Sequence, residues 1–221
     1  MNKALVIGAS GGIGRAIVAA LRARGDAVRE LSRSVDGMDL TDPAAVERAM
    51  ETIEGPFDLI VVATGALEIN RAEPEKTIRA VDARAMMDQF ALNAVGPALV
   101  LRRVHRLLPR DRRSVIAVLS ARVGSIGDNR LGGWVSYRAS KAAVNQIVRT
   151  ASIELARTHS QAVCVSLHPG TVATEFTRKY LGRHPAVTPE TAAQNLLAVI
   201  DGLSPKDSGG FFDWAGKSVP W

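Results

Sequence analysis

The sequence is poor in cysteine and in aromatic residues, and both shortages limit what the protein can be. Its one cysteine, Cys164, can form no intrachain disulfide, and because it stands in a strand-like stretch we expect it to be part of the core. Only 5% of the residues are aromatic, and they form no stripe of the kind that stacks on RNA bases. A disulfide-stabilised scaffold is therefore excluded.

Long apolar runs are also missing. No uninterrupted run is long enough to cross a bilayer, and the apolar start of the chain is only one strand long before it reaches a glycine-rich turn, unlike a signal peptide. We therefore expect a cytoplasmic protein that does not associate with membranes.

The charge is unbalanced, with a net value of +6 and a cluster of arginines between positions 102 and 113. Several of these arginines fall at a predicted helix C-terminus, where cations complement the helix dipole, and no recognition-helix signal or zinc-ligand spacing accompanies them. His105 and His168 likewise have no suitably spaced ligand partners. The sequence therefore predicts a solvated basic face, with no nucleic-acid partner and no metal.

Length and periodicity indicate one α/β domain spanning residues 1–221. Short strand-like runs alternate with longer helical patterns, which is typical of a Rossmann-type, doubly wound parallel sheet in a three-layer α/β/α sandwich. The strands are predicted at residues 5–7, 27–31, 59–63, 115–119 and 163–167. The helices are predicted from residue 14 to 24 and at 43–53, 84–108, 136–158 and 189–201.

The first strand runs directly into a turn rich in glycine, Gly8-Ala9-Ser10-Gly11-Gly12-Ile13-Gly14. A helix follows, so backbone N–H groups and the positive end of the helix point at one place, and the missing side chains allow a pyrophosphate to come close. A tight turn with nothing bound is the alternative. Three glycines at positions 8, 12 and 14, between a strand and a helix, favour a dinucleotide ligand.

Tyr137 and Lys141 stand four residues apart on a predicted helix and therefore share one face. A lysine charge about 4 Å away, in an effective dielectric near 20, supplies roughly the 4 kcal/mol needed to bring a phenol from a pKa of about 10 towards neutrality. We therefore expect Lys141 to lower the Tyr137 pKa and make it a usable acid or base. Taken alone, the spacing also fits an ordinary exposed helix.

Together, the Gly-x-x-x-Gly-x-Gly turn and the downstream Tyr-x-x-x-Lys resemble the short-chain dehydrogenase/reductase family. The similarity covers nearly the whole chain, and the loop after Ser120 and the ending from Phe212 to Trp221 look like the C-factor and sniffer-type carbonyl reductase branch. The resemblance implies an NAD(P)-dependent oxidoreductase that interconverts a carbonyl and an alcohol by hydride transfer. Tyr137 would exchange the proton, and Lys141 would also bind the nicotinamide ribose.

The resemblance also assigns the cofactor contacts. Asp39 and Leu40 would flank the adenine, and Val172 and Thr174 would meet the nicotinamide, although Thr174 also suits a helix N-cap before Phe176. The full predicted set is Gly8, Ser10, Gly11, Gly12, Ile13, Gly14, Ser32, Arg33, Asp39, Leu40, Ala63, Thr64, Gly65, Tyr137, Lys141, Pro169, Gly170, Val172 and Thr174. After the next strand the chain reads Val62-Ala63-Thr64-Gly65 where the family usually has Asn-Asn-Ala-Gly, so the asparagines are absent although Thr64 and Gly65 can still form a close backbone turn.

Ser32-Arg33 decides between the two dinucleotides. The second strand ends there, and a carboxylate at that place would hold a free ribose 2'-hydroxyl and repel a 2'-phosphate. The chain has no acid at Ser32 and a guanidinium beside it, so NADP is favoured and NAD is possible. Arg15 could assist, and an ordinary surface charge is the alternative for Arg33.

The remaining catalytic positions are less regular. Asn93 would hold a water in a proton relay to Lys141, or serve as a helix-kink amide bonded to backbone. The family serine, three residues before Gly124, is replaced by Ala121. Ser120 is therefore predicted to polarise the substrate oxygen, with Ser125 as its rival, although strand alternation turns Ser120 away from the direction of position 121.

The sequence thus predicts a small-molecule carbonyl reductase that forms a homodimer or homotetramer through the helices at 84–108 and 136–158. A C-factor-like signalling or regulatory protein with little turnover is the alternative. Trp134 and Tyr180 are candidates for the substrate pocket, and residues 182–189 for a lid over it.

Overall fold

The computed structural model describes residues 2–174, 177, 179 and 186–221 of the chain. These residues contain one parallel sheet of six strands in the order β2-β1-β3-β4-β5-β6. The strands are β1 (Lys3–Ile7), β2 (Ala27–Leu31), β3 (Leu59–Val62), β4 (Ser114–Leu119), β5 (Ala162–His168) and β6 (Phe211–Asp213).

Helices cover both faces of this sheet, so the predicted Rossmann-type α/β sandwich is confirmed. They are α1 (Gly12–Ala23), α2 (Arg33–Asp36), α3 (Pro43–Glu51), α4 (Ala83–Phe90), α5 (Gly96–Val104), α6 (Val135–Ala156) and α7 (Pro189–Gly202). One face packs on α3, α5 and α6 through side chains such as Val46, Val100 and Val144. The other packs on α1 and α7 through side chains such as Ile17 and Leu196.

The strand order reverses at β1, which pairs with β2 on one side and with β3 on the other. Ligands of open α/β sheets bind in the crevice at the carboxyl ends of the strands where the order reverses. The segments that follow β1, β2 and β3 are the glycine turn, Ser32-Arg33 and Ala63-Thr64-Gly65. The fold therefore brings three of the predicted cofactor segments to one crevice.

Three local features differ from the prediction. The helix expected at 84–108 is interrupted by a π-helical turn at Ala91–Val95, and its last α-helical residue is Val104. The short helix α2 and the strand β6 were not predicted. A four-residue helix and a three-residue strand are too short for a periodic pattern to show.

Five of the six arginines between 102 and 113 are exposed and Arg103 is half-buried, as expected for a solvated basic face. Arg102 and Arg103 both contact the carboxylate of Glu47, and Arg113 donates to the backbone oxygens of Ile200 and Leu203 near the end of α7. Acceptors within the fold therefore engage part of this charge. Among the described residues, no helix is both long enough and apolar enough to cross a membrane.

Candidate active site

The glycine turn after β1 is tightly packed. A Cβ atom added to Gly14 would lie 2.2 Å from the Gly8 oxygen, and one added to Gly8 would lie 2.7 Å from the Ala63 oxygen. Gly8 also has a φ of +87°, which favours glycine. These two glycines let the chain turn sharply and enter α1 beside the end of β3.

The N-terminus of α1 fits a phosphate group. Gly11 occupies the N-cap without a side-chain cap, and the first turn contains no acidic residue, so the N–H groups of Gly12, Ile13 and Gly14 have no acceptor within the helix. A guanidinium N–H of Arg15 donates to the Ser10 oxygen at 2.9 Å, which adds a positive charge beside the turn. The turn therefore offers free N–H donors and a nearby positive charge, and anion binding there stays a prediction.

Ser32 has a structural task that the sequence did not reveal. It is the N-cap of α2, with its Oγ accepting from the Val35 N–H at 3.3 Å and its own N–H donating to the Asp36 carboxylate at 2.8 Å. Arg33, the next residue, is exposed at the surface of the same turn. The cation that could meet a 2'-phosphate is therefore Arg33, while much of the polarity of Ser32 is engaged within the protein.

Asp39 and Leu40 follow α2 and lie beside the start of α5. The Asp39 carboxylate accepts from the hydroxyl and backbone N–H of Thr41, and these hydrogen bonds lower the pKa of Asp39. Leu40 is buried, and a Cβ added to Gly96 would lie 2.7 Å from the Leu40 Cβ. The Leu40 side chain thus packs against the start of α5. A ligand could reach the backbone of Leu40 or the residues beside it, but not its side chain.

Ala63, Thr64 and Gly65 continue from β3 into the crevice. The Thr64 Oγ1 is buried and makes no hydrogen bond in the described structure. Gly65 has a φ of +138°, and a Cβ added there would lie 2.8 Å from the Asn93 Oδ1 and 3.0 Å from the Lys141 Nζ. This glycine therefore lets Asn93 and Lys141 approach the same point of the backbone.

The side-chain amide of Asn93 is bonded on both sides. Its Oδ1 accepts from the Ala66 N–H, and its Nδ2 donates to the Ala66 oxygen, each at 2.9 Å. Nδ2 also donates to the Oε1 of Gln89 at 2.6 Å. The contacts are those of the kink amide bonded to backbone, and a water relay from Asn93 to Lys141 stays a prediction.

Tyr137 and Lys141 lie in the first half of α6 on its buried side, 7% and 3% exposed. The Lys141 Nζ lies 5.9 Å from the centre of the Tyr137 ring and donates to the Leu119 oxygen at 3.1 Å. The two residues therefore do not form an ordinary exposed helix face. They face the carboxyl end of β4, which is the edge of the sheet that carries the crevice.

The expected lowering of the Tyr137 pKa is wrong for this arrangement. Burial raises the pKa of Tyr137 above its usual value, and burial lowers the pKa of Lys141 to about 8. The free energy needed to remove a phenolate from water exceeds its attraction to a lysine Nζ that lies 5.9 Å from the ring centre. The lysine is itself desolvated, which further weakens its charged form. The phenol is consequently held protonated, in the form that can donate a proton.

The two candidate serines differ in their contacts. Ser120 follows β4 directly, and its Oγ is buried with no hydrogen-bond partner in the described structure. The Ser125 Oγ donates to the Pro220 oxygen and accepts from the Asp128 N–H at 3.1 Å. The Ser125 hydroxyl is thus engaged in holding the loop to the segment around Pro220, whereas that of Ser120 is not.

Pro169, Gly170, Val172 and Thr174 follow β5 along the same crevice. Thr174 lies over the glycine turn, since a Cβ added to Gly12 would lie 2.8 Å from its Cγ2. Val172 is buried and forms a bridge with Val187. Phe176, before which Thr174 was expected to be an N-cap, lies outside the described residues, as do the pocket candidate Tyr180 and residues 182–185 of the expected lid.

His168 lies at the end of β5. Burial lowers the pKa of His168 to about 4, so its ring is neutral at ordinary pH. Within the described part of the chain, no group of three or more His, Cys, Asp or Glu side chains is placed to hold a metal ion. Trp134 contacts Tyr137 edge to face, with ring centres 6.3 Å apart.

Two buried polar residues beside the site escaped the sequence analysis. The Glu75 carboxylate accepts from both the N–H and the hydroxyl of Ser136, the residue before Tyr137. Gln89 bonds Asn93, as described above, and the Leu67 oxygen. Gln89 stands four residues before Asn93 on a helix, which is a usable signal. Glu75 acts across 61 positions of sequence, and no local pattern marks it.

A family model and two related proteins match most or all of the chain. The model of the short chain dehydrogenase family matches residues 2–183. A 1-hydroxy-2-glutathionyl-2-methyl-3-butene dehydrogenase from Rhodococcus sp. strain AD45 is 30% identical over 237 aligned positions that span both chains completely. The C-signal of Myxococcus xanthus is 36% identical over 177 positions, which cover 78% of this chain and 98% of that protein.

Solved structures agree. An NADPH-bound carbonyl reductase from chicken fatty liver superposes with a TM-score of 0.83 at 27% identity, covering 100% of this chain and 99% of that one. The Sniffer carbonyl reductase of Drosophila melanogaster gives a TM-score of 0.81 over the whole of both chains. At 24% identity, that second likeness concerns the fold.

Proposed function

Because the chain belongs to the short-chain dehydrogenase/reductase family, an NAD(P)-dependent oxidoreductase family, we propose that it uses NADP(H) to interconvert a carbonyl compound and an alcohol, with Tyr137 exchanging the proton. The predicted family is confirmed, and the likeness to C-signal agrees with the predicted branch. The observation that carries the proposal is the buried Tyr137–Lys141 pair at the carboxyl edge of the sheet.

The crevice suits a nicotinamide dinucleotide phosphate. The uncapped α1 N-terminus, with Gly8, Ser10, Gly11, Gly12, Ile13 and Gly14, would hold the pyrophosphate, and Arg33 beside Ser32 would hold the 2'-phosphate. Asp39 and Leu40 would border the adenine, while Ala63, Thr64 and Gly65 would line the middle of the site. Pro169, Gly170, Val172 and Thr174 would border the nicotinamide. The NADPH-bound avian relative supports binding of NADP, which we take as the preferred cofactor, with NAD possible.

The bound cofactor would supply the hydride that reduces the carbonyl carbon. Tyr137 would donate its hydroxyl proton to the carbonyl oxygen, and its raised pKa keeps that proton in place before the reaction. Lys141 would then stabilise the phenolate that remains, since an ammonium is favoured beside the new negative charge. The alcohol would be oxidised by the same steps in reverse.

Two further groups would support the reaction. Ser120 would donate its hydroxyl to the substrate oxygen, because that hydroxyl is buried and has no hydrogen-bond partner among the described residues. Asn93 would hold the Ala66 backbone, and so the turn at Gly65, against Lys141. A water between Asn93 and Lys141 would return a proton to the pair.

The regulatory alternative is not favoured. It predicts a dinucleotide-binding fold without working chemistry, yet a relative that aligns over the whole chain is a dehydrogenase, and the Tyr137–Lys141 pair is present and buried. Assembly into a homodimer or homotetramer remains part of the proposal. Exposed Met87 and Val95 on the segment from α4 to α5, and Ile153 on α6, support a contact through these helices.

The test is the rate of NADPH oxidation, beside that of NADH, against aldehydes, ketones and quinones. Purified Tyr137→Phe protein serves as the control, after its NADPH affinity has been measured by fluorescence titration. We expect turnover by the native protein and none by the variant, with the affinity for NADPH preserved. Equal turnover by both proteins would remove Tyr137 from the chemistry, and NADPH binding without turnover of any carbonyl would favour the regulatory reading.

A further inference from the structure

The N-terminus of α6 lies two residues before Tyr137 and needs acceptors that its own sequence does not supply. The N-cap residue is Trp134, in a left-handed conformation with φ of +52°. An indole ring has a donor and no acceptor, so it cannot cap the free N–H groups of a first helical turn. The residues that begin this helix therefore depend on another part of the chain.

Glu75 supplies those acceptors from the segment between β3 and α4. Its carboxylate accepts from the backbone N–H of Ser136 at 3.3 Å and from the Ser136 hydroxyl. Its backbone oxygen accepts from the backbone N–H of Trp134 at 2.5 Å. Glu75 is only 9% exposed. A buried carboxylate at a helix N-terminus is stabilised by the helix dipole and by its hydrogen bonds, so this contact is held firmly.

The same carboxylate borders the reaction site. Glu75, Ser136, Tyr137 and Gln89 line one small cleft. Gln89 in turn donates to the Leu67 oxygen and accepts from Asn93. Segment 66–75 is thus attached at one end to Asn93 and at the other to the residue before Tyr137.

We propose that Glu75 is a positioning residue for Tyr137, holding the first turn of α6 through Ser136 so that the phenol keeps its place over the crevice. The proposal rests on the proposed function, because it gives Tyr137 the proton transfer. A shift of the helix start by a fraction of a turn would move the phenol away from the substrate oxygen. Misplacements of about 1 Å can cost roughly 100-fold in rate.

The decisive variants are Glu75→Ala and Glu75→Gln. Alanine removes both side-chain acceptors, and we expect kcat to fall by roughly 10- to 100-fold, with KM and the NADPH affinity changed by less than about threefold. Glutamine can accept from the Ser136 N–H with its oxygen and donate to the Ser136 hydroxyl with its nitrogen. Glu75→Gln should therefore recover most of kcat.

Glu73→Ala is the matched control. Glu73 lines the same cleft, but its side chain is 65% exposed and lies 3.4 Å from the Lys179 Nζ. It should leave kcat unchanged. An equal loss in the two alanine variants, or unchanged kcat in Glu75→Ala, would overturn the proposal. If Glu75→Ala does not fold, we would use Ser136→Ala instead, since it removes only the hydroxyl contact with Glu75. The proposal again requires kcat to fall.

A second measurement is independent of turnover. The chain contains two tyrosines, so ¹³Cζ-labelled protein gives two signals, and Tyr180→Phe assigns the one from Tyr137. Glu75→Ala should shift or broaden the Tyr137 signal, and Glu73→Ala should not. If the Tyr137 signal does not move in Glu75→Ala, the positioning role is wrong, whatever Tyr137→Phe shows about the chemistry. If the signal moves but Tyr137→Phe is still active, Glu75 positions Tyr137 and only the proposed reaction is wrong.

Discussion

The Nζ of Lys141 lies 5.9 Å from the centre of the Tyr137 ring, and both side chains are buried. The lysine donates instead to the end of β4, through the Leu119 oxygen. Sheet and helix are thereby joined at the residue that is proposed to stabilise the phenolate. This hydrogen bond fixes the pair at the edge of the crevice, although burial opposes charge on both groups.

Replacement of Lys141 should change how stability depends on pH. Burial lowers the pKa of Lys141 to about 8, so between about pH 8 and the ordinary lysine pKa of about 10.4 the unfolded chain binds a proton that the folded chain has released. The free energy of unfolding contributed by this group therefore rises across that window, by on the order of 3 kcal/mol in all, and below it the buried ammonium destabilises the fold.

Urea unfolding at pH 7.5 and 9.5 measures this effect. Lys141→Met should be more stable than the native protein at pH 7.5, and its advantage should shrink at pH 9.5. Lys206→Met, at an exposed position in the turn Pro205–Asp207, is the control and should show no such difference. An advantage of Lys141→Met that is the same at both values would contradict the assignment.

Arg33→Ala should weaken NADPH binding more than NADH binding. Hydrogen bonds to a charged group contribute about 1.5–3 kcal/mol, so the Kd for NADPH should rise by roughly 10- to 100-fold, with little change for NADH. Fluorescence titration with both dinucleotides measures the ratio. Arg22→Ala provides the control, since Arg22 pairs with Glu30 at the far end of α1. Equal weakening of both cofactors by Arg33→Ala would remove Arg33 as the 2'-phosphate residue.

The serines can be separated by their contacts. Ser120→Ala should lower kcat by about 100- to 1,000-fold, as expected when a donor to the reacting oxygen is lost. Ser125→Ala should keep kcat and instead lower the thermal unfolding temperature, because its hydroxyl bonds Pro220 and Asp128. Two active variants would mean that neither hydroxyl polarises the substrate.

Gly65→Ala should damage the site beyond the strain of its backbone. The new methyl would lie 2.8 Å from Asn93 and 3.0 Å from Lys141, so turnover should fall at least tenfold, by our rough expectation from displaced catalytic groups. Gly25→Ala is the control, because Gly25 also has a positive φ, of +81°, but has nothing within 4 Å of the added atom. Both variants should lose about 1–3 kcal/mol of stability, and comparable turnover losses would show that crowding is not the cause.

The parts of the fold that sequence predicted well are those with a repeated pattern. The five longer strands and the helices α1, α3, α6 and α7 lie within a few residues of the expected ranges, because periodic apolar side chains mark them. Strand β6 has three residues and no visible alternation. Its place is set by pairing with β5, with Ser166 opposite Phe211, which is tertiary information.

In the candidate site, too, local patterns could be predicted from the sequence and features set by tertiary packing could not. Motif spacing located the glycine turn and the Tyr137–Lys141 pair, since both are local arrangements on a turn or one helix face. The protonation behaviour of Tyr137 was predicted with the wrong sign, because its burial depends on packing that no local pattern reports. Glu75 was missed for a related reason, since its partner Ser136 is far away in sequence.

The π-helical turn at Ala91–Val95 has one more residue than a regular helical turn would need. Each residue of an α-helix turns the chain by about 100°, so deleting one residue there would rotate α5 against α4 by that angle. Gln89 and Asn93 could then face segment 66–67 only if Val100 and Val104 left the core. The extra residue thus allows the contacts of Gln89 and Asn93 with segment 66–67 and the core packing of Val100 and Val104 to form together, which a regular helix would not allow. Relatives that keep the Asn93 contacts should therefore keep the same number of residues between α4 and α5, even where their side chains differ.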